Sequence, residues 1–322
     1  MTAESAVEIR PFEENDAAAW DDVVRGSSNG TLQHTRRFLS YHGSRFSDRS
    51  VVVLDARGRW LGVLPAAVEP SDADVVTSHP GLTYGGLVHG RGLGGERVMD
   101  ALQRIAAHFA SAGFQRFRYK ATPWVYHRLL CAEDVYALFR LGARRYRCDL
   151  SATLLLADRP AIGERRRSAQ RRASRCGVEV RPGTDMWPQF WKVLESNLRD
   201  RHHVAPTHSL SEIQLLRSLF PEEIVLVVGQ IGADIVAGTV LFQSGAAMHL
   251  RYEAADDRGR QSAALDPVLE ASIRLALAKG CRHFEFGIST EDQGRVLNSS
   301  LDDFKRSFGA GGTVYEHYEL DL

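Results

Sequence analysis

The chain has 322 residues, of which 44% are hydrophobic, and its 40 basic side chains are balanced by 40 acidic ones. This length and apolar content are sufficient for two cores of ordinary size, so two domains are expected. The zero net charge excludes a global field that would draw the protein to DNA or to an anionic membrane, so any charged partner must be bound by a local patch.

In the first half, apolar periodicity and turn signals predict a β-hairpin, a further strand, an amphipathic helix and a returning strand. The predicted elements are strands 50–55, 60–68 and 83–88, helix 96–112 and strand 114–120. Gly113 ends the helix.

The second half repeats this order. The predicted elements are strands 224–230, 235–242 and 248–254, helix 263–279 and strand 283–286. Such self-similarity predicts a duplicated unit. A meander of strands followed by a helix and a strand favours an α/β (α+β) fold, with a mixed, mostly antiparallel sheet flanked by helices in each copy.

The cysteines indicate neither a metal site nor a disulfide framework, because they are far apart and form no CxxC spacing. They are Cys131, Cys148, Cys176 and Cys281. Residues 1–10 lack the apolar core of a secretory signal. The most apolar stretch, 224–242, is interrupted by Gln230 and Asp234, so no membrane span is expected. A cytoplasmic location is predicted.

Residues 90–95 satisfy the GxGxxG pattern of dinucleotide-binding loops. The strands before them form hairpins, and residues 115–118, about 20 positions on, offer no carboxylate to a ribose. A nicotinamide cofactor is therefore rejected. An anion at the N-terminus of helix 96–112 and a plain turn that caps this helix both stay open.

The last fifth of the chain carries the most informative pattern. A strand over 281–287 is followed by Ile288-Ser289-Thr290-Glu291, then by Asn298, and finally by Lys305-Arg306-Ser307-Phe308-Gly309. With the hairpins before it, this segment resembles the second half of the FemAB-like, double-GNAT acyltransferases. The resemblance covers nearly the whole chain and implies tandem GNAT-like domains, 1–156 and 157–322, with the active site in the second.

The resemblance implies acyl transfer to the amine of a small-molecule acceptor, such as an amino sugar, an amino acid or a lipid precursor, with no obligatory covalent intermediate and no permanently bound cofactor. The expected co-substrate is acyl-CoA, an acyl carrier or an aminoacyl-tRNA. The reaction needs a deprotonated amine close to the carbonyl carbon and a group that stabilises charge on the oxygen. The residues assigned to this chemistry are Glu291, His203, Lys305 and Tyr252.

Relatives commonly read Lys-Glu-x-Phe-Gly at the final motif, and Arg306 stands here where the acid is expected. Lys305 is therefore assigned to the oxyanion, with an ion pair to an acid such as Asp302 as the alternative. The resemblance also implies that residues 251–253 flank the acyl group and that residues 285 and 289–291 converge with them at one sheet edge.

The predicted donor site is the segment 257–262, which offers two guanidinium groups, a hydroxyl and backbone N–H groups to a phosphate. The residues assigned to donor binding are Arg251, Arg258, Gly259, Arg260 and Ser262. The alternative is a solvated turn in which Arg258 pairs with Asp256 or Asp257. The loop 90–95 resembles the pyrophosphate loop of acetyl-CoA-dependent GNAT enzymes only in part, since Glu96 occupies its final position.

Six arginines in residues 165–175 form a second candidate anion patch, for which Arg167, Arg171 and Arg172 are selected. A nucleotide diphosphate, a tRNA acceptor arm, or water and counterions could balance their charge. Residues 197–208 contain three histidines, but adjacent side chains of a helix point apart, so zinc is not expected. In FemAB-like proteins this segment faces the cleft, which assigns His203 to deprotonation of the amine; a surface helix end is the alternative.

The residues assigned to the acceptor are Tyr126, His127, Ser289, Thr290 and Asn298. Aromatic rings and a histidine just beyond a strand end are suited to this role, although packing also accounts for the aromatic residues nearby. The leading hypothesis is an N-acyltransferase that uses a CoA or carrier-protein thioester. An aminoacyl-tRNA-dependent Fem-type transferase and a catalytically silent binding module are the alternatives.

Overall fold

The computed structural model describes residues 7–322, which form two compact units. The first unit contains residues 7–150, 290–296 and 313–322, and the second contains 151–289 and 297–312. The chain leaves the first unit at Leu150, inside a strand whose residues 151–155 pair within the second unit. The boundary predicted after Leu156 lies at the end of that strand. Most of the segment on which the absence of a signal peptide was argued lies outside the described residues.

The elements of the first unit are β1 Val7–Pro11, α1 Ala17–Gly26, α2 Arg36–Leu39, β2 Val51–Asp55, β3 Trp60–Leu64, β4 Ala67–Glu69, β5 Asp72–Thr77, β6 Val88–His89, α3 Glu96–Ser111, β7 Arg116–Lys120 and α4 Glu133–Arg140. Strands β1, β2, β3 and β6 form an antiparallel sheet in that order. Strand β4 pairs antiparallel with β5, and β5 pairs parallel with β7.

Helix α3 forms where the apolar periodicity predicted it, and its buried face packs into the core of the first unit. The buried side chains include Val98, Leu102, Ile105 and Phe109. The strand predicted over 83–88 was wrong, because only its last residue is in a strand, Val88–His89. The strand that pairs parallel with β7 is β5. The sequence did not predict it because it contains two aspartates, and Asp is depleted in strands.

The chain then continues with β8 Arg144–Leu155, α5 Glu164–Arg175, β9 Val178–Pro182, α6 Trp187–His202, α7 Leu210–Leu219, β10 Ile224–Ile231, β11 Asp234–Ser244, β12 Ala247–Ala255, α8 Asp257–Ser262, α9 Leu265–Ala278, β13 His283–Ile288, β14 Thr290–Glu291, β15 Val296–Leu297, α10 Ser299–Arg306 and β16 Gly311–Asp321. In the second unit the strand order is β9-β10-β11-β12-β13, followed by residues 151–155 of β8. Helix α9 packs on this sheet through a buried apolar cluster.

The predicted duplication is confirmed by the pairing inside each unit. In the first, the antiparallel pair β4–β5 is followed by helix α3 and by β7, which is parallel to β5. In the second, β11–β12 is followed by helix α9 and by β13, which is parallel to β12. Each unit is thus a mixed sheet flanked by helices.

The predicted loop before helix α9 is itself the short helix α8. Its first turn is capped by the carboxylate of Asp256, which accepts from the Gly259 N–H at 2.7 Å. A Cβ at Gly259 would lie 2.1 Å from the Val236 carbonyl oxygen, so only glycine fits against β11 there. None of the helices within residues 7–322 has the length and apolarity needed to cross a membrane.

Candidate functional site

Strands β12 and β13 of the second unit separate after a short parallel contact. Their pairing covers three positions and ends at His249 opposite Glu285, whereas β12 continues to Ala255. On its other edge, β12 carries a β-bulge: Val240 pairs with Tyr252 and Leu241 pairs with Leu250, so the residue between them is extra. Residues 250–255 of β12 are therefore not paired with β13, and the bulge sets the direction of their side chains.

Glu253 lies on β12 two residues beyond this bulge, opposite Thr239 of β11. Its side chain is half-buried, and within residues 7–322 its buried Oε2 atom has no hydrogen-bond partner. Burial raises the pKa of this carboxyl to about 7, and the nearby ammonium of Lys305 opposes the shift. A carboxylate with such a pKa can accept a proton near neutral pH.

Lys305 is 3% exposed and lies in the last turn of α10, whose first turn is capped by the side chain of Asn298. Its Nζ donates to the carbonyl oxygens of Gly287 at 2.8 Å and Ile288 at 2.6 Å, at the end of β13. Burial lowers the pKa of Lys305, while the carboxylates of Glu253, Glu285 and Asp302 oppose this shift. An ammonium has three N–H donors, so one remains for another acceptor.

The predicted alternative of an ion pair from Lys305 to Asp302 is not the arrangement found, because Asp302 accepts from the Arg306 guanidinium at 2.6 Å. Arg306, which departs from the family motif, therefore forms an ion pair within helix α10 that stabilises this helix. Next to the lysine-bound carbonyls, Ser289 is 1% exposed, and its buried Oγ has no hydrogen-bond partner within the described chain. The Ser289 hydroxyl therefore has an unused hydrogen-bond donor within the described chain.

Glu285 anchors the last paired position of β13. Its carboxylate is fully buried and accepts from the Ser151 hydroxyl, from His249 Nδ1 and from the Gly287 N–H at 2.9 Å. Gly287 has a φ of 83°, which suits glycine, at the point where β13 gains a residue relative to β8. This network fixes the place where the two strands separate.

A tyrosine and histidine pair lies at the same level of β12. The Tyr252 hydroxyl is 2.6 Å from Nδ1 of the buried His208, and its ring contacts Trp191 edge-on. His203 was the histidine predicted from the segment 197–208. That residue is exposed and caps helix α6 in a left-handed conformation with a φ of 56°, whereas His208 contacts the strand of the site.

The predicted donor residues are held together by local contacts. Arg258 pairs with Asp234 at 2.6 Å, and Arg260 pairs with Asp257. The hydroxyl of Ser262 donates to the Arg258 carbonyl at 2.8 Å, and the N–H of Gly259 is taken by its cap. The fifth donor residue, Arg251, is the extra residue of the bulge and is half-buried.

Two residues of the predicted site, Thr290 and Glu291, belong to the first unit. Thr290 Oγ1 donates to Asp149 at 2.9 Å, and Glu291 is exposed. Tyr126 and His127 also belong to this unit: the Tyr126 hydroxyl lies 2.6 Å from that of Tyr315. The His127 ring lies 3.0 Å from the Thr122 carbonyl oxygen, and burial lowers its pKa.

The arginine cluster forms helix α5 of the second unit. Arg166 points inward, is 5% exposed, and pairs with Asp266 at 2.6 Å. Arg167 and Arg171 both pair with Glu164 on the exposed side. Arg172 is exposed and has no ion pair within residues 7–322. Part of the predicted patch is therefore neutralised, and its C-terminal end is not.

Because its pKa is raised, Glu253 makes the free energy of unfolding depend on pH. The folded protein then binds this proton more tightly than the unfolded chain, whose glutamate titrates near 4.5. Stability contributed by the protonated form is complete below about pH 4.5 and is lost as the pH rises through about 7. Glu253→Gln cannot titrate, so its stability relative to the native protein should increase between about pH 5 and about pH 8. Urea unfolding of the native protein and of Glu253→Gln at both pH values tests this. If the two proteins differ in free energy of unfolding by the same amount at both pH values, the prediction is contradicted.

Comparison with known proteins identifies the fold. Residues 161–306 match the family described as an acetyltransferase (GNAT) domain. Among solved structures, the chain is similar to FemX with a TM-score of 0.69 and 12% identity, over 98% of this chain and 97% of that one. It is also similar to the C-terminal domain of a putative lysylphosphatidylglycerol synthetase from Agrobacterium fabrum, with a TM-score of 0.62 and 12% identity, over 95% and 92% of the two chains.

A tandem GNAT protein from the clavulanic acid biosynthesis pathway aligns over 98% of both chains, with a TM-score of 0.53 and 11% identity. No curated protein sequence matches the chain. Likenesses at these identities concern the fold, whereas the match over residues 161–306 covers most of the unit that contains Glu253 and Lys305. The chain therefore has a tandem GNAT-like fold, and its residues 161–306 match the acetyltransferase (GNAT) domain family.

Proposed function

We propose that this protein is an N-acyltransferase that moves an acyl group from a thioester of CoA or of a carrier protein to the amine of a small acceptor. The observation that carries the proposal is Glu253, a half-buried carboxyl with a pKa of about 7 and an unpaired oxygen, on the part of β12 beyond its pairing with β13. Acyl transfer to an amine needs such a base, because an ordinary ammonium ion is not a nucleophile.

In the proposed reaction, Glu253 takes a proton from the acceptor ammonium, and the nitrogen lone pair attacks the thioester carbonyl carbon. The new C–N bond forms and the C–S bond breaks, so the electron pair leaves with sulfur as a thiolate. The charge that develops on the carbonyl oxygen is stabilised by the remaining N–H donor of Lys305 and by the Ser289 hydroxyl. The Tyr252 hydroxyl, oriented by His208, gives its proton to the thiolate and is restored by the second proton that the nitrogen loses as the neutral amide forms, while Glu253 returns its proton to water.

The donor is proposed to contact the segment that contains Arg258 and Arg260. Both guanidinium groups now pair with exposed carboxylates, which a phosphate group could replace at little cost, because exposed ion pairs contribute about 0–1 kcal/mol. The acceptor is proposed to be bound by Ser289 and Asn298 of the second unit.

An aminoacyl-tRNA is the second candidate donor, and one surface favours it. Arg172 and Arg175 are exposed at the end of helix α5 and have no ion pair among the described residues. Positive side chains at such a position can bind phosphates of an RNA backbone, with an affinity that falls as salt is added. The similarity to FemX and to a putative lysylphosphatidylglycerol synthetase domain is compatible with either donor.

The proposal is tested by supplying both kinds of donor with a panel of primary amines. Release of thiol from an acyl-CoA or acyl carrier that depends on the added amine supports the first donor class. Transfer of a labelled amino acid from charged tRNA that ribonuclease abolishes, and that Arg172→Ser with Arg175→Ser weakens, supports the second. Ligand binding without turnover of any donor would overturn both and favour a catalytically silent binding module.

A further inference from the structure

A histidine, a cysteine and a glutamate come together in the first unit, and none of them has a role in the proposed acyl transfer. Their ligand atoms all lie within 4.8 Å of one another, and they belong to His89, Cys131 and Glu133. The His89 Nε2 atom is 3.2 Å from Cys131 Sγ. Imidazole nitrogen, thiolate sulfur and carboxylate oxygen are the three donor types that bind Zn²⁺ in proteins.

The imidazole of His89 is oriented for this role. It is 2% exposed at the end of strand β6, and its Nδ1 lies 3.3 Å from the Gly90 carbonyl oxygen. If Nδ1 carries the proton and donates it to that carbonyl, the lone pair of Nε2 points to the cysteine. Histidines that bind metals usually have their second nitrogen held in this way.

The backbone on both sides of the cluster is anchored by the segment around Ser28. The N–H of His89 donates to the Asn29 side chain at 3.0 Å, and the His89 carbonyl accepts from the Ser28 N–H at 2.8 Å. On the other side, the N–H of Arg128 donates to the Ser28 carbonyl at 2.8 Å, three residues before the cysteine. The ligands are therefore held close before any ion binds, which reduces the entropic cost of binding.

The local charge also favours a cation. The Oε2 atom of Glu133 is buried and has no hydrogen-bond partner within residues 7–322. The adjacent Asp134 is 4% exposed, and its carboxylate accepts from the Tyr119 hydroxyl at 2.6 Å. An unpaired buried carboxylate oxygen is costly, and coordination to a divalent ion would satisfy it.

The cluster lies on the wall of a cavity of about 440 Å³ that is also lined by the glycine-rich loop, including Arg91 and Gly94. A Cβ at Gly94 would be 3.8 Å from Glu133 Oε1, so the loop runs directly past this carboxylate. A phosphate in the loop would meet the negative charge of Glu133, which disfavours the anion reading of the GxGxxG pattern. A cation, in contrast, would be attracted by this carboxylate and could enter through the open cavity.

We propose that His89, Cys131 and Glu133 bind one Zn²⁺ ion, with the fourth position open to the cavity for water or for an anionic oxygen ligand. Three protein ligands and an accessible fourth position are typical of zinc sites that bind or activate a small molecule, whereas structural sites have four protein ligands. The site is separate from the acyl-transfer site and goes beyond the proposed function.

The test uses the full-length protein, stripped with a chelator and then titrated with Zn²⁺ against a competing chromogenic chelator. About one tightly bound ion per chain is expected. Cys131→Ser and Glu133→Gln should each weaken binding by more than the roughly 100-fold that loss of an outer-shell partner can cost. Co²⁺ should give a sulfur-to-metal charge-transfer band that Cys131→Ser abolishes and Glu133→Gln retains.

The matched controls are Cys281→Ser, which removes a buried thiol of the second unit, and Cys176→Ser, which removes an exposed one. Both should bind Zn²⁺ as the native protein does. Circular dichroism of each variant separates loss of the site from loss of the fold. A native protein that fails to compete with the chelator, or folded His89→Gln and Cys131→Ser variants with unchanged affinity, would overturn the proposal.

Discussion

Glu253→Gln is expected to lower kcat by about 100-fold to 10,000-fold, which is the usual contribution of a general base. Glutamine has nearly the same shape as glutamate but cannot accept the ammonium proton. The half-buried position on β12 and the pKa of about 7 make Glu253 the residue of the second unit best suited to this step. Because the substitution leaves the strand and the bulge in place, the KM for the acyl donor should change little.

Glu179→Gln is the matched control, since it makes the same chemical change at an exposed position of β9 in the same unit. Its kcat should equal that of the native protein. If Glu253→Gln retains kcat within about twofold, Glu253 of β12 is not the general base. In that event Glu291, which the sequence favours and which is exposed in the structure, is the next carboxylate to replace.

Glu285→Ala should have the largest effect on stability, lowering the free energy of unfolding by about 3–5 kcal/mol. Its carboxylate is fully buried, and its removal leaves the buried donors of Ser151 and His249 without their acceptor. It also accepts from the Gly287 N–H at the point where β12 and β13 separate. Urea unfolding measures this loss, and the slope of the free energy of unfolding against urea concentration should be unchanged.

Glu179→Ala provides the reference for this experiment, because substitutions at exposed positions usually change the free energy of unfolding by about 0.5 kcal/mol or less. If Glu285→Ala unfolds with a loss below about 1 kcal/mol, the buried network does not hold the strands as described. A variant too unstable to be purified can be replaced by Glu285→Gln, which keeps the volume and one acceptor oxygen and should lose less.

Much of the fold was predictable because the second half of the chain has regular patterns. Strands β10, β11 and β12 and helix α9 occur within a few residues of their predicted bounds. Strand β5 was missed because Asp72 and Asp74 interrupt its apolar pattern on exposed or half-buried positions. The segment before α9 was predicted as a loop, since its helix is only one to two turns long.

The sequence indicated segments of the proposed site more readily than single residues. The resemblance selected the strand of Tyr252 and the lysine of the final motif, and both lie in the second unit. The base proposed here, Glu253, was named only as part of its strand, because the pKa of a carboxyl depends on burial that local sequence does not reveal. The signal that could have identified Glu253 is that it is the single acid of β12.

The places of His208, His249 and the proposed metal ligands could not be predicted, because they are set by contacts between distant parts of the chain. His208 meets Tyr252 across 44 positions, and His89 meets Cys131 across 42. Metal-ligand spacings in sequence identify only ligands that are close along the chain. Sequence reasoning therefore expected no metal.

The most direct test of the account is the pH dependence of kcat/KM for acyl transfer by the native protein and by Glu253→Gln. A base with a pKa of about 7 predicts that kcat/KM rises with pH and levels off above about pH 7, and that this limb is absent from the variant. If the variant keeps the same limb as the native protein, Glu253 is not the group that accepts the amine proton, and the account of the site is wrong.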